Sequence, residues 1–178
     1  MEAVTLDTLQ TFLRRLGERF TGTGDLYLLG GSALCLLGNP RTTMDVDYTF
    51  EPDVASEQFE AIVAELADEM QLYADPVPIA EFVPLPPQAY DRRRLVGRYG
   101  RLAVYIFDPY TIALSKIARG FEADLEDVMF MLHQSLIEFG ELERHFNSIL
   151  PDAARADIIP GEFRDYFKEI RRRFGEKD

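Results

Sequence analysis

The chain has 178 residues, 47% of them apolar and 28% charged, which is enough for one globular domain or for a domain with a small helical lobe. Its formal net charge of −12 argues against a protein that binds nucleic acid through overall charge, because such proteins are usually basic. No apolar run approaches the roughly 20 residues that span a bilayer, no secretory leader is recognisable, and the single cysteine, Cys35, excludes an internal disulfide. We therefore expect a cytoplasmic protein with no membrane partner.

The predicted elements of the first half alternate between helix and strand. Apolar residues at helical spacing predict an amphipathic helix over residues 5–20, and a short apolar strand follows over residues 26–29. This strand runs into Gly30-Gly31-Ser32, where a short helix is expected to begin at Ser32. After a turn at residues 38–40, a second strand is predicted over residues 44–50.

The middle of the chain is predicted to complete the sheet. An acidic amphipathic helix over residues 55–72 precedes residues 76–88, whose five prolines are incompatible with a regular central strand. Residues 93–98 and 102–107 are typical of a hairpin. The second hairpin strand is apolar on both faces, so we expect it inside the sheet.

The second half is predicted to be helical. Asp108-Pro109 is a strong helix start, because an N-cap acceptor precedes proline at the first helical position, and Gly120 suits the end of that helix. Further helices are predicted around residues 125–132, 139–149 and 162–174. We therefore predict an α/β (α+β) core over residues 1–108 and a helical C-terminal portion over residues 109–178.

The candidate chemistry lies in the second strand and in the turn before it. Asp45 and Asp47 project from one face of a strand, because alternate side chains point the same way. Two carboxylates this close repel each other unless a cation lies between them, and hard oxygen ligands suit Mg²⁺. The glycines of the preceding turn allow a phosphate to approach the backbone. Arg41 and Thr43 lie between the two parts and are candidates to hold the loop or contact phosphate.

This arrangement resembles a known group of enzymes. Gly30-Gly31-Ser32 followed by Arg41-x-Thr43-x-Asp45-x-Asp47 looks like the minimal core of the DNA polymerase β-type nucleotidyltransferase superfamily. Residues 108–132 resemble the helix pair, with a lysine and then an Asp-x-x-Asp, of the AbiEii- and MenT-like branch, which includes toxins of bacterial toxin–antitoxin pairs. The resemblance implies a nucleotidyltransferase fold, with a short mixed sheet flanked by helices and a helical C-terminal portion.

The resemblance also implies roles for individual residues. Asp45 and Asp47 would hold one or two Mg²⁺ ions, Lys116 would reach a phosphate, and Asp124 would be a further catalytic carboxylate. The residues implied in nucleotide binding are Gly30, Gly31, Ser32, Arg41, Thr43 and Lys116. Alternatively, Lys116 extends its ammonium to solvent and Asp124 is only a helix-dipole partner. One departure from the superfamily pattern is that the strand predicted over residues 102–107 carries no third carboxylate.

The expected reaction is transfer of a nucleoside monophosphate from an NTP to an acceptor hydroxyl. The acceptor is expected to be an RNA 3′ end or a protein, and a cognate antitoxin is a possible partner of this branch. One alternative is a degenerate, non-catalytic binding or regulatory protein, which the missing strand carboxylate motivates. Another is a small-molecule nucleotidyltransferase of the aminoglycoside type, since the acidic residues 51–75 suit a polycationic acceptor.

The charge along the chain is uneven, which bears on the acceptor. Residues 51–80 contain eight acids and no lysine or arginine, whereas residues 91–101 contain five arginines and one acid. An acidic average can therefore hide a local basic surface. We expect RNA phosphates to dock along the arginines of the hairpin, of which Arg92, Arg94 and Arg98 would share a strand face. The five are Arg92, Arg93, Arg94, Arg98 and Arg101. The alternative is that they pair with the acidic helix over residues 55–72.

Overall fold

The computed structural model describes residues 1–51, 56–79 and 83–175. The chain divides into two compact units, one formed by residues 1–77 and 93–107 and the other by residues 78–92 and 108–178. The predicted division into domains, residues 1–108 and 109–178, stays a prediction. Residue 55 of the predicted acidic helix and residues 80–82 of the proline-rich stretch lie outside the described residues.

The first unit is built on one mixed sheet. Its five strands in the described part of the chain are β1 (Gly24–Leu28), β2 (Asp45–Glu51), β3 (Tyr73–Pro76), β4 (Arg94–Tyr99) and β5 (Leu102–Ile106). Their order across the sheet is β3-β2-β1-β5-β4, with β1 parallel to β5, β2 parallel to β3, and the other neighbours antiparallel. The predicted α/β class with a mixed sheet flanked by helices is confirmed, as is the interior position of β5.

The three helices described in this unit are α1 (Leu6–Arg19), α2 (Gly30–Leu36) and α3 (Ser56–Met70). Along β2, buried Val46, Tyr48 and Phe50 alternate with half-buried polar residues. Phe50 stacks on Phe59 of α3 with ring centroids 4.0 Å apart, so the apolar side of β2 packs against this helix. Burial raises the pKa of Tyr48. The polar side chains of β2 therefore share the opposite face of the sheet.

The acidic helix α3 is tied to α1. Glu69 accepts hydrogen bonds from Arg15 at 2.6 Å and from Arg19 at 2.9 and 2.7 Å. These pairs are partly exposed, so each contributes little to stability. Glu69 thus pairs with arginines of α1. The alternative in which the hairpin arginines pair with the acidic helix does not apply to this residue.

The second unit is helical. Its α-helices in the described residues are α4 (Pro109–Arg119), α5 (Glu122–His133), α6 (Phe139–Ile149) and α7 (Pro160–Gly175), with 3₁₀ turns at Ala89–Arg92 and Leu150–Ala156. Asp108 caps α4 as predicted, accepting from the backbone amides of Tyr110 and Thr111, and Gly120 ends the helix in the left-handed region at φ 69°. Within the described ranges, no helix combines the length and the apolar character needed to cross a membrane.

Candidate metal and nucleotide site

Three carboxylates converge on the polar face of β2. Asp45 and Asp47 lie two residues apart on β2, and β3 runs parallel beside them with Asp75 opposite Asp47. One oxygen atom from each of the three side chains lies within 4.8 Å of the others. Asp45 and Asp47 are half-buried and Asp75 is exposed. Since like charges at this separation repel, the arrangement favours a bound cation, and a set of hard oxygen donors suits Mg²⁺.

Asp75 was missed by the sequence analysis. A third carboxylate was sought on the strand over residues 102–107, but β1 lies between that strand and β2, whereas β3 lies directly beside β2. The segment Tyr73-Ala74-Asp75-Pro76 was not assigned to any strand. A signal was available, because proline at the end of a short polar segment is compatible with an edge strand. The neighbouring-strand carboxylate is therefore present, on the other side of β2.

The glycine turn lies directly against these acids. Gly30 has φ +55°, and a Cβ built on it would lie 2.2 Å from Oδ2 of Asp47. A Cβ on Gly31 would lie 2.5 Å from Oγ1 of Thr43, whose hydroxyl donates to Oδ1 of Asp45 at 3.1 Å. Any larger residue at either glycine would displace a side chain of the site. The turn and the two strand acids therefore form one unit, as the motif predicted.

Ser32 and Arg41, two of the predicted nucleotide-binding residues, lie in different environments at α2 and in the loop before β2. Helix α2 begins at Gly30 rather than at Ser32, so the predicted start is wrong by two residues. Ser32 is fully buried, and its hydroxyl donates to the backbone oxygen of Leu29 at 2.9 Å. Arg41 is exposed in the loop before β2. Phosphate contacts by Ser32 and Arg41 stay predictions.

Lys116 and Asp124 belong to a buried ion cluster in the second unit. Nζ of Lys116 lies 2.7 Å from Asp127 and 3.4 Å from Asp124, and all three residues are at most 4% exposed. Arg119 donates two further hydrogen bonds to Asp124, at 3.0 and 2.6 Å. The ammonium of Lys116 does not extend to solvent, because two aspartates surround it inside the protein. The catalytic roles predicted for Lys116 and Asp124 stay predictions.

The hairpin arginines do not form the row that alternation predicted. Arg92 lies in the 3₁₀ turn before β4 and makes a bidentate pair with the fully buried Asp108, with both N–O distances at 2.8 Å. A bulge in β4 between Leu95 and Gly97 then shifts the register, so that Arg94 lies opposite Ile106 and Arg98 opposite Ala103. Since Ala103 and Ile106 are three residues apart on β5, Arg94 and Arg98 lie on opposite faces. The prediction of a shared face for Arg92, Arg94 and Arg98 is wrong.

The polar face beside the three carboxylates also carries aromatic and acidic groups. Tyr27 stacks on Tyr105 with ring centroids 5.5 Å apart, and the guanidinium of Arg93 lies 5.2 Å from the Tyr105 ring centroid. Burial raises the pKa of Tyr27, and the negative charges of Asp25 and Glu51 raise it further. The Tyr27 phenol therefore stays protonated at neutral pH, and this part of the face has an acidic character.

A comparison with family models identifies the family of this chain. Residues 5–171 match the family described as a nucleotidyltransferase of unknown function (DUF6036). The chain belongs to this family. The match covers the glycine turn, the carboxylates of β2 and β3 and the buried ion cluster. Neither the comparison with curated proteins nor the comparison with solved structures gives a match.

Proposed function

We propose that this nucleotidyltransferase moves a nucleoside monophosphate from an NTP to an acceptor hydroxyl, with Mg²⁺ held by Asp45, Asp47 and Asp75. The observation that carries the proposal is the convergence of three carboxylate oxygens within 4.8 Å beside the glycine turn. Mg²⁺ is bound by a few carboxylates together with waters and substrate phosphates, which this donor set allows. The family description supports the reaction class.

In the proposed reaction, the acceptor oxygen forms a bond to the α-phosphorus while the bond from that phosphorus to the bridging oxygen breaks and pyrophosphate leaves. The metal, when bound, supplies charge neutralisation at the phosphates and a more acidic acceptor hydroxyl. Asp75, the exposed member of the three, accepts the acceptor proton. Thr43 holds the carboxylate of Asp45 in place through its 3.1 Å hydrogen bond, and Gly30 and Gly31 allow the turn to lie directly against Asp47 and Thr43, so that a phosphate bound at the turn would adjoin the carboxylates.

We propose an RNA 3′ end as the acceptor. The support is electrostatic: in a chain of net charge −12, the exposed arginines Arg93, Arg94, Arg98 and Arg101 concentrate positive charge in the β4–β5 hairpin of the catalytic sheet. The AbiEii- and MenT-like branch, with a role beside a cognate antitoxin, rests only on the resemblance of residues 108–132.

The test compares the wild type with Asp45→Asn, Asp47→Asn and Asp75→Asn. Each protein is incubated with Mg²⁺, each labelled NTP, total RNA and total protein, and the labelled fraction is identified. We expect transfer to be lost in all three variants. The matched control is Asp25→Asn, which removes an acid from the same sheet face outside the carboxylate cluster and should retain transfer to RNA. Circular dichroism checks that each variant is folded.

The outcomes separate the parts of the proposal. Wild-type transfer in Asp45→Asn or Asp47→Asn would refute the site. Wild-type transfer in Asp75→Asn alone would leave a two-carboxylate site and would remove the proton-accepting role of Asp75. If the wild-type protein neither binds Mg²⁺ with NTP nor transfers label, it is the degenerate binding protein. The strand carboxylate whose absence motivated this alternative is present as Asp75.

A second candidate is transfer to a small cationic acceptor of the aminoglycoside type. Asp25 and Glu51 lie opposite each other on β1 and β2, on the same face as the three carboxylates, and their negative charge would attract such a molecule. A screen of aminoglycosides and polyamines as acceptors tests this candidate. It is favoured over RNA only if the small acceptors become labelled while RNA does not.

A further inference from the structure

An exposed tyrosine lies beside the three carboxylates. Tyr73 is the first residue of β3, stands opposite Asp45 in the parallel β2–β3 pair, and is 50% exposed. Because it precedes Asp75 by two residues on the same strand, its ring projects from the same face as the cluster. The strands lie about 4.8 Å apart and the two positions on β3 about 6.6 Å apart, so the ring borders the metal ligands directly.

Several other aromatic side chains of this sheet pack against rings or a guanidinium of the same protein. Tyr48 packs against Phe59 with ring centroids 5.9 Å apart, and Tyr105 lies between the Tyr27 ring and the Arg93 guanidinium. Among the described residues, no aromatic ring or guanidinium is set against the ring of Tyr73 in this way. Single exposed aromatic rings are common on protein surfaces, and Tyr73 is distinguished by its position beside the three carboxylates, where the planar group of a substrate can reach it.

The position of β3 indicates which substrate meets this ring. The glycine turn contacts Asp47 and Thr43, whereas β3 contributes Asp75, the proposed proton acceptor for the acceptor hydroxyl. Strand addition is not a suitable use of this edge, because Pro76 has no N–H to donate and the charged Asp75 opposes pairing. A planar group lying over Tyr73 would instead place a hydroxyl of its own ribose near Asp75.

We propose that Tyr73 is the platform on which the terminal base of a nucleic-acid acceptor stacks, so that the terminal ribose hydroxyl is presented to the carboxylate cluster. The inference rests on the proposed function and specifies the acceptor's chemistry: a nucleoside end with a planar base. Aromatic stacking tolerates any base, because every base has a π face, so Tyr73 selects for the presence of a terminal base rather than for its identity.

The test uses the full chain with RNA oligonucleotides ending either in a normal nucleoside or in an abasic ribose. Tyr73→Ala should raise the KM for the normal acceptor about tenfold, which converts to ~1.4 kcal/mol, and should leave the KM for NTP unchanged. Tyr73→Phe keeps the ring and should retain the wild-type KM. Phe121→Ala, which removes a 67% exposed ring at the start of α5, is the matched control and should have no effect.

The abasic acceptor completes a double-mutant cycle. Wild type should lose about tenfold on the abasic acceptor, and Tyr73→Ala should show no additional loss, because the two changes remove the same contact. A binding readout that needs no transfer is the fluorescence of a terminal 2-aminopurine, which stacking on Tyr73 should quench in the wild type and in Tyr73→Phe but not in Tyr73→Ala.

The results distinguish failure of this inference from failure of the proposed function. Equal acceptor KM values for wild type and Tyr73→Ala, with active transfer, overturn the platform alone. A raised NTP KM with an unchanged acceptor KM assigns the ring to the nucleotide and overturns the acceptor assignment. Quenching by wild type without any transfer refutes the proposed function and retains the platform. Neither quenching nor transfer overturns both. Labelling of aminoglycosides only overturns the platform and the RNA acceptor but retains nucleotidyl transfer.

Discussion

Replacing Arg92 with alanine is expected to destabilise the protein far more than replacing an exposed arginine nearby. Asp108 is fully buried and accepts five hydrogen bonds, two from Arg92 and three from the backbone and side chain at the start of α4. Removing one partner of a buried ion pair typically costs about 3–5 kcal/mol. The three remaining donors and the helix dipole still stabilise the Asp108 carboxylate, and the Arg92 side chain is 23% exposed, so water can reach the gap. We therefore expect a loss of ~2–3 kcal/mol.

For a chain of this length, that loss lowers Tm by roughly 4 to 12 °C, which thermal unfolding followed by circular dichroism measures directly. The control is Arg98→Ala, an arginine on the exposed side of β4, which should change stability by less than about 0.5 kcal/mol. The pair Arg92→Met and Asp108→Asn should restore part of the stability lost in Arg92→Met alone, since no charge is then left buried without its partner. Equal Tm values for Arg92→Ala and Arg98→Ala would show that the Arg92–Asp108 pair contributes nothing, and would return Arg92 to the set of arginines available for RNA.

Two further predictions concern the second unit. Lys116→Ala removes the ammonium shared by two buried aspartates and should lower the free energy of unfolding by ~3 kcal/mol. Lys116→Met is the control that keeps the packing of the aliphatic part of the side chain. An unchanged Tm together with a tenfold lower affinity for NTP would instead identify Lys116 as a phosphate ligand. Burial, followed by the nearby Arg92 charge, lowers the pKa of His145 below its ordinary value, although Asp108 and Glu141 oppose the shift. The unfolded state therefore binds a proton more readily than the folded state, so the free energy of unfolding should fall as the pH drops below about 6.5. His145 contributes at most ~1.4 kcal/mol to this fall per pH unit. Urea titrations between pH 7 and 5 should show a smaller fall in His145→Gln than in the wild type. Identical pH profiles for the two proteins would contradict this assignment.

The parts of the site that depend on local geometry were predictable from the sequence. Asp45 and Asp47 share a face because the side-chain period of a strand is two, and the glycines before them were expected in a tight turn. The cap at Asp108 and the end of α4 at Gly120 follow from the backbone groups that each residue can satisfy or the conformation it can adopt. Each of these inferences needs only a few consecutive residues.

The parts that failed depend on pairing between distant segments. Asp75 joins the cluster only because β3 pairs with β2, and no local pattern in four residues fixes that neighbour. Arg94 and Arg98 were predicted on one face because alternation along the strand was assumed to be unbroken. The bulge in β4 moves the side chain of Arg98 to the other face of the sheet. The burial of Lys116 depends on how α4 packs against α5, so its environment could not be deduced from the apolar residues of its own helix.

The edge position of β3 has a consequence for the temperature range over which the protein can act. β3 has four residues and, in the described part of the chain, β2 as its single neighbour. A strand held in this way opens locally at a lower free energy than the whole fold. Each opening would carry Tyr73 and Asp75 away while the β2 carboxylates stay in place. Heat should therefore switch the enzyme off reversibly several degrees before the sheet melts, and the amide of Asp75, which faces β2, should exchange with deuterium much faster than that of Thr49, which faces β1.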